Sequence, residues 1–134
     1  MPVANMDKDP IIVFVCEHGA VKSVVAAAHF NRFAAEKGLS LHAIARGTTP
    51  DAEISPQTVK GLAEDHLRPT ESLPQRLTQT ELESAQRVVT FCALPAEYRQ
   101  PSHLEHWENI PPVSENYELA RDAIIERIRQ MLKA

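Results

Sequence analysis

Cys16 closes the apolar run Ile11-Ile12-Val13-Phe14-Val15, and Lys22 and Ser23 follow it after five intervening residues. A thiol, an ammonium group and a hydroxyl at this spacing are the parts of a site for nucleophilic attack on an anion. The thiolate is the reactive form of cysteine, and a nearby cation favours it. Ser23 can hydrogen-bond either the sulfur or an oxygen of the anion. A suitable target is a tetrahedral oxyanion, phosphate or arsenate, attacked by sulfur.

Such a site needs a scaffold that turns the thiol and the cation toward each other. Residues 11–15 form an unbroken apolar, largely β-branched run, which predicts a strand buried on both faces of a parallel sheet. Residues 22–37 are Ala-rich, with Val24, Val25, Ala28, Phe33 and Ala34 at helical spacing, and Gly38 follows as a stop signal. The loop Glu17, His18, Gly19, Ala20, Val21 and Lys22 therefore joins a strand to a helix N-terminus. The unpaired N–H groups and positive dipole end of that helix form an anion cradle, with Cys16 at its centre.

Leu39 to Ala45 reads as a second strand. Ser55-Pro56 starts a helix running to about His66, and 67–77 reads as a loop. Thr80 and Glu83 have capping-box spacing before a short helix. Arg87 to Cys92 reads as a third strand, and a short fourth is expected around His103 to Trp107. Residues 117–132 place Ala120, Ile124, Ile128 and Met131 on one helical stripe, with Leu119 and Ile125 beside it. The order predicts one three-layer α/β/α domain over 1–134, with a small, about four-stranded parallel sheet and 1–10 as a loose N-terminal extension.

The chain has 134 residues, 43% of them hydrophobic and 24% charged, as expected of one globular domain. A net charge of −4 with no basic run argues against a nucleic-acid partner. The apolar runs are too short to cross a bilayer, and MPVANMDKDP lacks the apolar segment of a signal peptide. The expected setting is cytoplasmic, where two cysteines remain thiols and each needs its own explanation.

The run from Ile11 to Ser23, at the start of the chain and leading into a helix, resembles the low-molecular-weight protein tyrosine phosphatase superfamily. That superfamily also contains thiol-dependent arsenate reductases. Its signature is Cys, five residues, Arg, then Ser or Thr. The turn Ala45-Arg46-Gly47-Thr48, the SPQTVKGLAEDHL segment, RVVTFC and the His-Trp before the last helix resemble the family in the same order. The resemblance implies the phosphatase-like fold and a phosphocysteine intermediate on Cys16. Loop N–H groups and Lys22 would hold the oxyanion, and Ser23 would stabilise the departing thiolate. It implies no cofactor and no metal, and a phosphate, arsenate or phosphorylated substrate.

Three positions depart from the family. Lys22 replaces its Arg, exchanging a two-pronged donor for one compact charge. Gly19 replaces its usual Asn. In Trp107-Glu108-Asn109-Ile110-Pro111-Pro112, Pro111 stands where phosphatases carry the Asp that protonates the leaving oxygen. A positioned acid contributes about a hundred- to ten-thousand-fold, so weak or atypical phosphatase activity is expected. The candidate replacements are Glu108 and Glu115, nearest in sequence, and His18 within the loop.

Arsenate reduction needs no such acid, and with an external small thiol or redoxin it is an alternative. A non-catalytic oxyanion- or phosphoprotein-binding module is another. Cys92 follows VVTF in the third strand, where arsenate reductases of the family have a second redox cysteine, and no third cysteine follows. Core packing is the favoured reading of Cys92, with a second thiol as its alternative. The pairs Cys16/His18 and His103/His106 do not have structural-zinc spacing. Tyr98 and Trp107 would either rim a pocket or pack in the core.

Overall fold

Ile12, Val13, Phe14 and Val15 have no solvent exposure, which requires cover on both sides of their strand. The computed structural model describes residues 9–101 and 104–133. Strand β1 (Asp9–Cys16) leads to α1 (Lys22–Glu36), β2 (His42–Gly47), α2 (Pro56–Glu64), α3 (Gln79–Ser84), β3 (Ala85–Thr90), β4 (Leu104–His106) and α4 (Tyr117–Lys133). The four strands form one sheet in the order β2-β1-β3-β4, and every pairing is parallel. This is the expected α/β architecture.

The two-residue period of β1 divides the core. Ile12 and Phe14 pack with α1 and α4 residues including Val25, Phe30, Ile124 and Ile128. Val13 and Val15 face the other way, onto Leu77, Leu82, Ala85 and Val88. Phe14 also meets the rings of Phe30, Phe91 and Trp107 at centroid distances of 6.1, 6.4 and 5.6 Å. Trp107 is thus core, and Tyr98 packs against the second cluster with its hydroxyl donating to Leu77 O at 2.7 Å.

Several boundaries differ from those expected. β1 starts at Asp9, two residues before the apolar run, and residues 1–8 of the expected extension lie outside the described residues. β2 starts at His42 because the chain leaving α1 first makes a C-terminal turn, with Gly38 at φ +68° and Leu39 N bonded to Ala34 O at 2.8 Å. Left-handed His66 (φ 63°) follows the end of α2, short of the predicted boundary.

The capping box is Thr78 with Glu81, not Thr80 with Glu83. Thr78 Oγ1 accepts from Glu81 N at 3.1 Å, while Glu81 Oε1 accepts from Thr78 N at 3.0 Å. β3 covers 85–90 rather than 87–92, so Phe91 and Cys92 extend past its end. β4 lies inside the expected segment, with His103 outside the described residues. On α4, Ala120, Ile124 and Ile128 are buried, but Leu119 is 56% exposed and lies off the packed stripe.

A polar cluster links α1, α2 and α4 inside this core. Asp65, at the α2 C-cap, receives Arg121 Nη1 at 2.9 Å and the Tyr117 hydroxyl at 3.0 Å. His29 Nε2 lies 3.5 Å from Asp65 Oδ2 without making a hydrogen bond, and the ring is fully buried. Burial lowers the His29 pKa to about 4; Asp65 opposes the shift, whereas Arg32 and Arg121 reinforce it.

Unfolded His29 takes up a proton near its ordinary pKa of 6.5, while the folded ring stays neutral until about pH 4. Between those values the unfolded state binds more protons, so stability falls as pH falls. The contribution is roughly 3 kcal/mol, complete above the upper value and lost through the lower one. Urea denaturation of wild type and His29→Gln at pH 7 and pH 4.5 checks this. The variant should lose less stability on acidification than wild type; equal losses would remove His29 as the cause.

Candidate active site

The sheet changes direction of travel at β1, whose neighbours β2 and β3 lie on opposite sides. In open α/β sheets the crevice beyond the carboxyl ends at such a point is the usual ligand site. Cys16 ends β1 there, with Phe91 and Cys92 just past the end of β3. The Cys16 sulfur lies 3.0 Å from Ser23 Oγ, and both residues are buried. Cys16 lines a cavity of about 300 Å³ whose walls include Glu17, His18, Lys22, Phe91 and Cys92.

The loop between β1 and α1 is pinned by its own carbonyls. Cys16 O, Glu17 O, His18 O and Ala20 O accept from Thr48 N, Thr49 N, Asp51 N and Ser55 N at 3.2, 2.7, 3.0 and 3.2 Å. Because a trans peptide sets its N–H opposite its C=O, the amides of Glu17, His18, Gly19 and Val21 point away from the 48–55 segment. Val21, the N-cap of α1, provides no side-chain cap, and the first turn carries no acidic residue. The helix terminus therefore retains its donors and positive field for an anion.

Two glycines make this seating possible. Gly19 has φ +63°, and a Cβ there would come within 2.9 Å of Gly47 N. A Cβ on Gly47 would meet Gly19 N at 2.7 Å, so the backbones touch where neither tolerates a side chain. Gly19 supplies conformation in place of the family's Asn.

Lys22, partly buried at the start of α1, donates from Nζ to Ile110 O at 3.1 Å. This connects the loop to the segment between β4 and α4, where Asn109 adopts φ +65°. The same segment supplies Pro112, Val113 and Ser114 to the cavity wall, held by Gln57 Nε2 donating to Val113 O at 3.0 Å. Pro111, Glu108 and Glu115 are not among the lining residues. Glu108 is exposed and 4.0 Å from His106 Nε2, and Glu115 lines a separate surface depression beside Lys60 and Glu64.

The titratable side chains on the cavity are Cys16, Glu17, His18, Lys22 and Cys92. Burial, and then the proximity of Cys16 and Glu17, raises the pKa of the Cys92 thiol, with Thr48 opposing. Cys92 is half-buried beside Cys16 rather than enclosed in the core. His18 Nδ1 lies 3.1 Å from Asp51 Oδ1, and its Nε2 lies 3.8 Å from Glu17 Oε1. Among the described residues, no group of three or more His, Cys, Asp or Glu side chains is placed to hold a metal ion. His103 lies outside them.

The structure thus gathers Cys16, the 17–22 loop, Ser23 and Cys92, and leaves Glu108 and Glu115 apart. Phe91, Asp51 and the Ile110 carbonyl complete the surroundings without having been singled out in the sequence. A backbone acceptor has no residue-type signature, and Asp51 sits in an unremarkable polar stretch, TTPDAE. Phe91 was legible only as the last apolar residue of a strand.

The low molecular weight phosphotyrosine protein phosphatase family model matches residues 11–134. No curated protein matches the chain. Among solved structures, YfkJ from Bacillus subtilis aligns with TM-score 0.79 at 19% identity, covering 91% of each chain. A low molecular weight protein tyrosine phosphatase from Bacillus subtilis aligns at 0.77 with 21% identity, over 92% of this chain and 95% of that one. The thioredoxin-dependent arsenate reductase Cg_ArsC1' of Corynebacterium glutamicum aligns at 0.70 with 25% identity, over 94% of this chain and 61% of that one.

The glycine contact gives a direct test of the loop. Gly47→Ala must move backbone, because its Cβ would lie 2.7 Å from Gly19 N. Overpacking of this kind costs about 1–3 kcal/mol, lowering the melting temperature by several degrees. Calorimetric titration with phosphate should show at least tenfold weaker binding than in wild type. Unchanged affinity would mean that the loop holds its shape without this contact.

Proposed function

Because this chain belongs to the low molecular weight phosphotyrosine protein phosphatase family, we propose that it is a cysteine-dependent phosphatase with Cys16 as the nucleophile. The observation carrying this reading is the 3.0 Å contact of the Cys16 sulfur with buried Ser23 Oγ, with Cys16 itself lining a cavity beside a helix N-terminus. The thiolate attacks phosphorus, the ester P–O bond breaks, and water hydrolyses the phosphocysteine. Amides of residues 17–22 and the Lys22 ammonium hold the phosphoryl oxygens. The Ser23 hydroxyl donates to the sulfur as it departs in the second step.

Lys22 supplies charge without the paired donors of a guanidinium, and one of its three N–H bonds already serves Ile110 O. Slow turnover on unactivated phosphotyrosine follows. We place the reaction in the cytoplasm, where both thiols stay reduced. Among the described residues no helix is long and apolar enough to cross a membrane.

A second reading rests on Cys92. A thiol on the cavity of the nucleophilic thiol suits arsenate reduction: Cys92 attacks the sulfur of a Cys16–arsenate adduct, arsenite leaves with two electrons, and a disulfide forms. A redoxin or small thiol then reduces that disulfide. Its raised pKa keeps Cys92 a thiol until it gives up its proton on attack. Binding of phosphate without turnover of either kind would favour the remaining reading, an oxyanion- or phosphoprotein-binding module.

Single-turnover hydrolysis of p-nitrophenyl phosphate tests the first reading. Cys16→Ser should be slower by on the order of a thousandfold or more, and equal rates would sink it. Arsenite formation in the presence of thioredoxin, and separately glutathione or mycothiol, tests the second. Cys92→Ser should lower the thioredoxin-supported rate at least tenfold; a rate equal to wild type would return Cys92 to a packing role.

A further inference from the structure

We propose, resting on the phosphatase reading above, that His18 is the general acid of this site and that Asp51 positions it. The motivation is a missing part. Pro111 occupies the family's acid position, and neither Glu108 nor Glu115 lines the cavity. Of the side chains that do, Cys16 is the nucleophile, Lys22 is held by Ile110 O, and the raised pKa makes the Cys92 thiol a poor proton donor. Glu17 and His18 remain, both at the rim.

His18 is the better placed of the two because it is tied to Asp51 twice. Its carbonyl accepts from Asp51 N at 3.0 Å, and its Nδ1 lies 3.1 Å from Asp51 Oδ1. The backbone bond fixes the distance between the two residues, and the carboxylate then fixes the ring about its own side-chain torsions. A carboxylate at Nδ1 commits that nitrogen's proton and directs Nε2 to the reaction. Nε2 is 3.8 Å from Glu17 Oε1, beyond hydrogen-bond reach, so it is available to a substrate. Roughly half of the His18 side chain is exposed, as suits a group facing a leaving alcohol at the mouth of the cavity.

The Cys16 sulfur forms a bond to phosphorus while the phosphorus–oxygen bond to the alcohol breaks. Imidazolium Nε2 gives its proton to that oxygen, leaving phosphocysteine, free alcohol and neutral His18. In hydrolysis, Nε2 accepts a proton from the attacking water; the sulfur–phosphorus bond breaks, and inorganic phosphate and the Cys16 thiolate form. Imidazolium is restored. The charged and titratable groups around the ring are Asp51 from the 48–55 segment, Glu17 on the loop, and Cys16, Lys22 and Cys92 across the cavity.

The test compares two esters. Phenyl phosphate has a leaving group that needs a proton, whereas 2,4-dinitrophenyl phosphate has one that departs without it. In the first turnover, before phosphocysteine is hydrolysed, His18→Asn should release phenol about a hundredfold more slowly while releasing dinitrophenol within about threefold of the wild-type rate. The first-turnover release of phenol should fall as pH rises in wild type and lose that dependence in the variant. Asp51→Asn should lower kcat on phenyl phosphate with KM unchanged. Loss of rate on both esters equally, or on neither, would overturn the assignment of His18, and an Asp51→Asn profile matching wild type would remove the positioning role. If wild type hydrolyses neither ester, the phosphatase reading itself fails and this inference falls with it.

Discussion

The site depends on a contact between two stretches of bare backbone. Gly19 and Gly47 meet at a separation that leaves no space for a Cβ on either. That meeting lets the loop after β1 lie flat on the segment after β2 and give its carbonyls to the amides of Thr48, Thr49, Asp51 and Ser55. A peptide cannot turn its carbonyl one way without turning the next N–H the other. The shape of the anion cradle is therefore set by hydrogen bonds made on its outer side, and side chains are left to supply charge and reactivity.

The sheet supplies the second constraint. β1 lies between β2 and β3, so its end is flanked by the chain leaving both neighbours. One of these contributes Thr48 and Asp51, and the other Phe91 and Cys92. Buried charge is handled away from this crevice: the Asp65 carboxylate is satisfied by Arg121 and Tyr117 among the helices. Buried His29 beside that cluster makes no hydrogen bond and stays neutral, while Glu17 and His18 at the crevice stay in contact with solvent.

The fold was legible because each layer has its own periodicity. The unbroken apolar run of β1 signals cover on both faces, and the three- and four-residue spacing of α4 marks its packed stripe. Element ends were less legible, since the left-handed turn at His66 and the C-terminal turn after α1 depend on backbone conformation that residue type biases only weakly. In the site, Cys16, Lys22 and Ser23 stood out because chemistry restricts those residue types at that spacing. Asp51 and the Ile110 carbonyl did not, because each gains its meaning from a partner distant in sequence. Cys92 shows the converse: its sequence context suggested the end of a buried strand and core packing, but the strand ends two residues before it and leaves it on the cavity.

The bond from Lys22 to the Ile110 carbonyl bears on how quickly the site can respond. An ammonium group in bulk water must shed part of a tight hydration shell before it can touch an anion. Here a protein dipole has taken the place of some of that shell, so much of the solvent rearrangement is completed during folding rather than on encounter. The same bond ties the start of α1 to the segment that carries Pro112, Val113 and Ser114 into the cavity wall. One side-chain donor thereby joins two walls of the cavity that lie far apart in sequence.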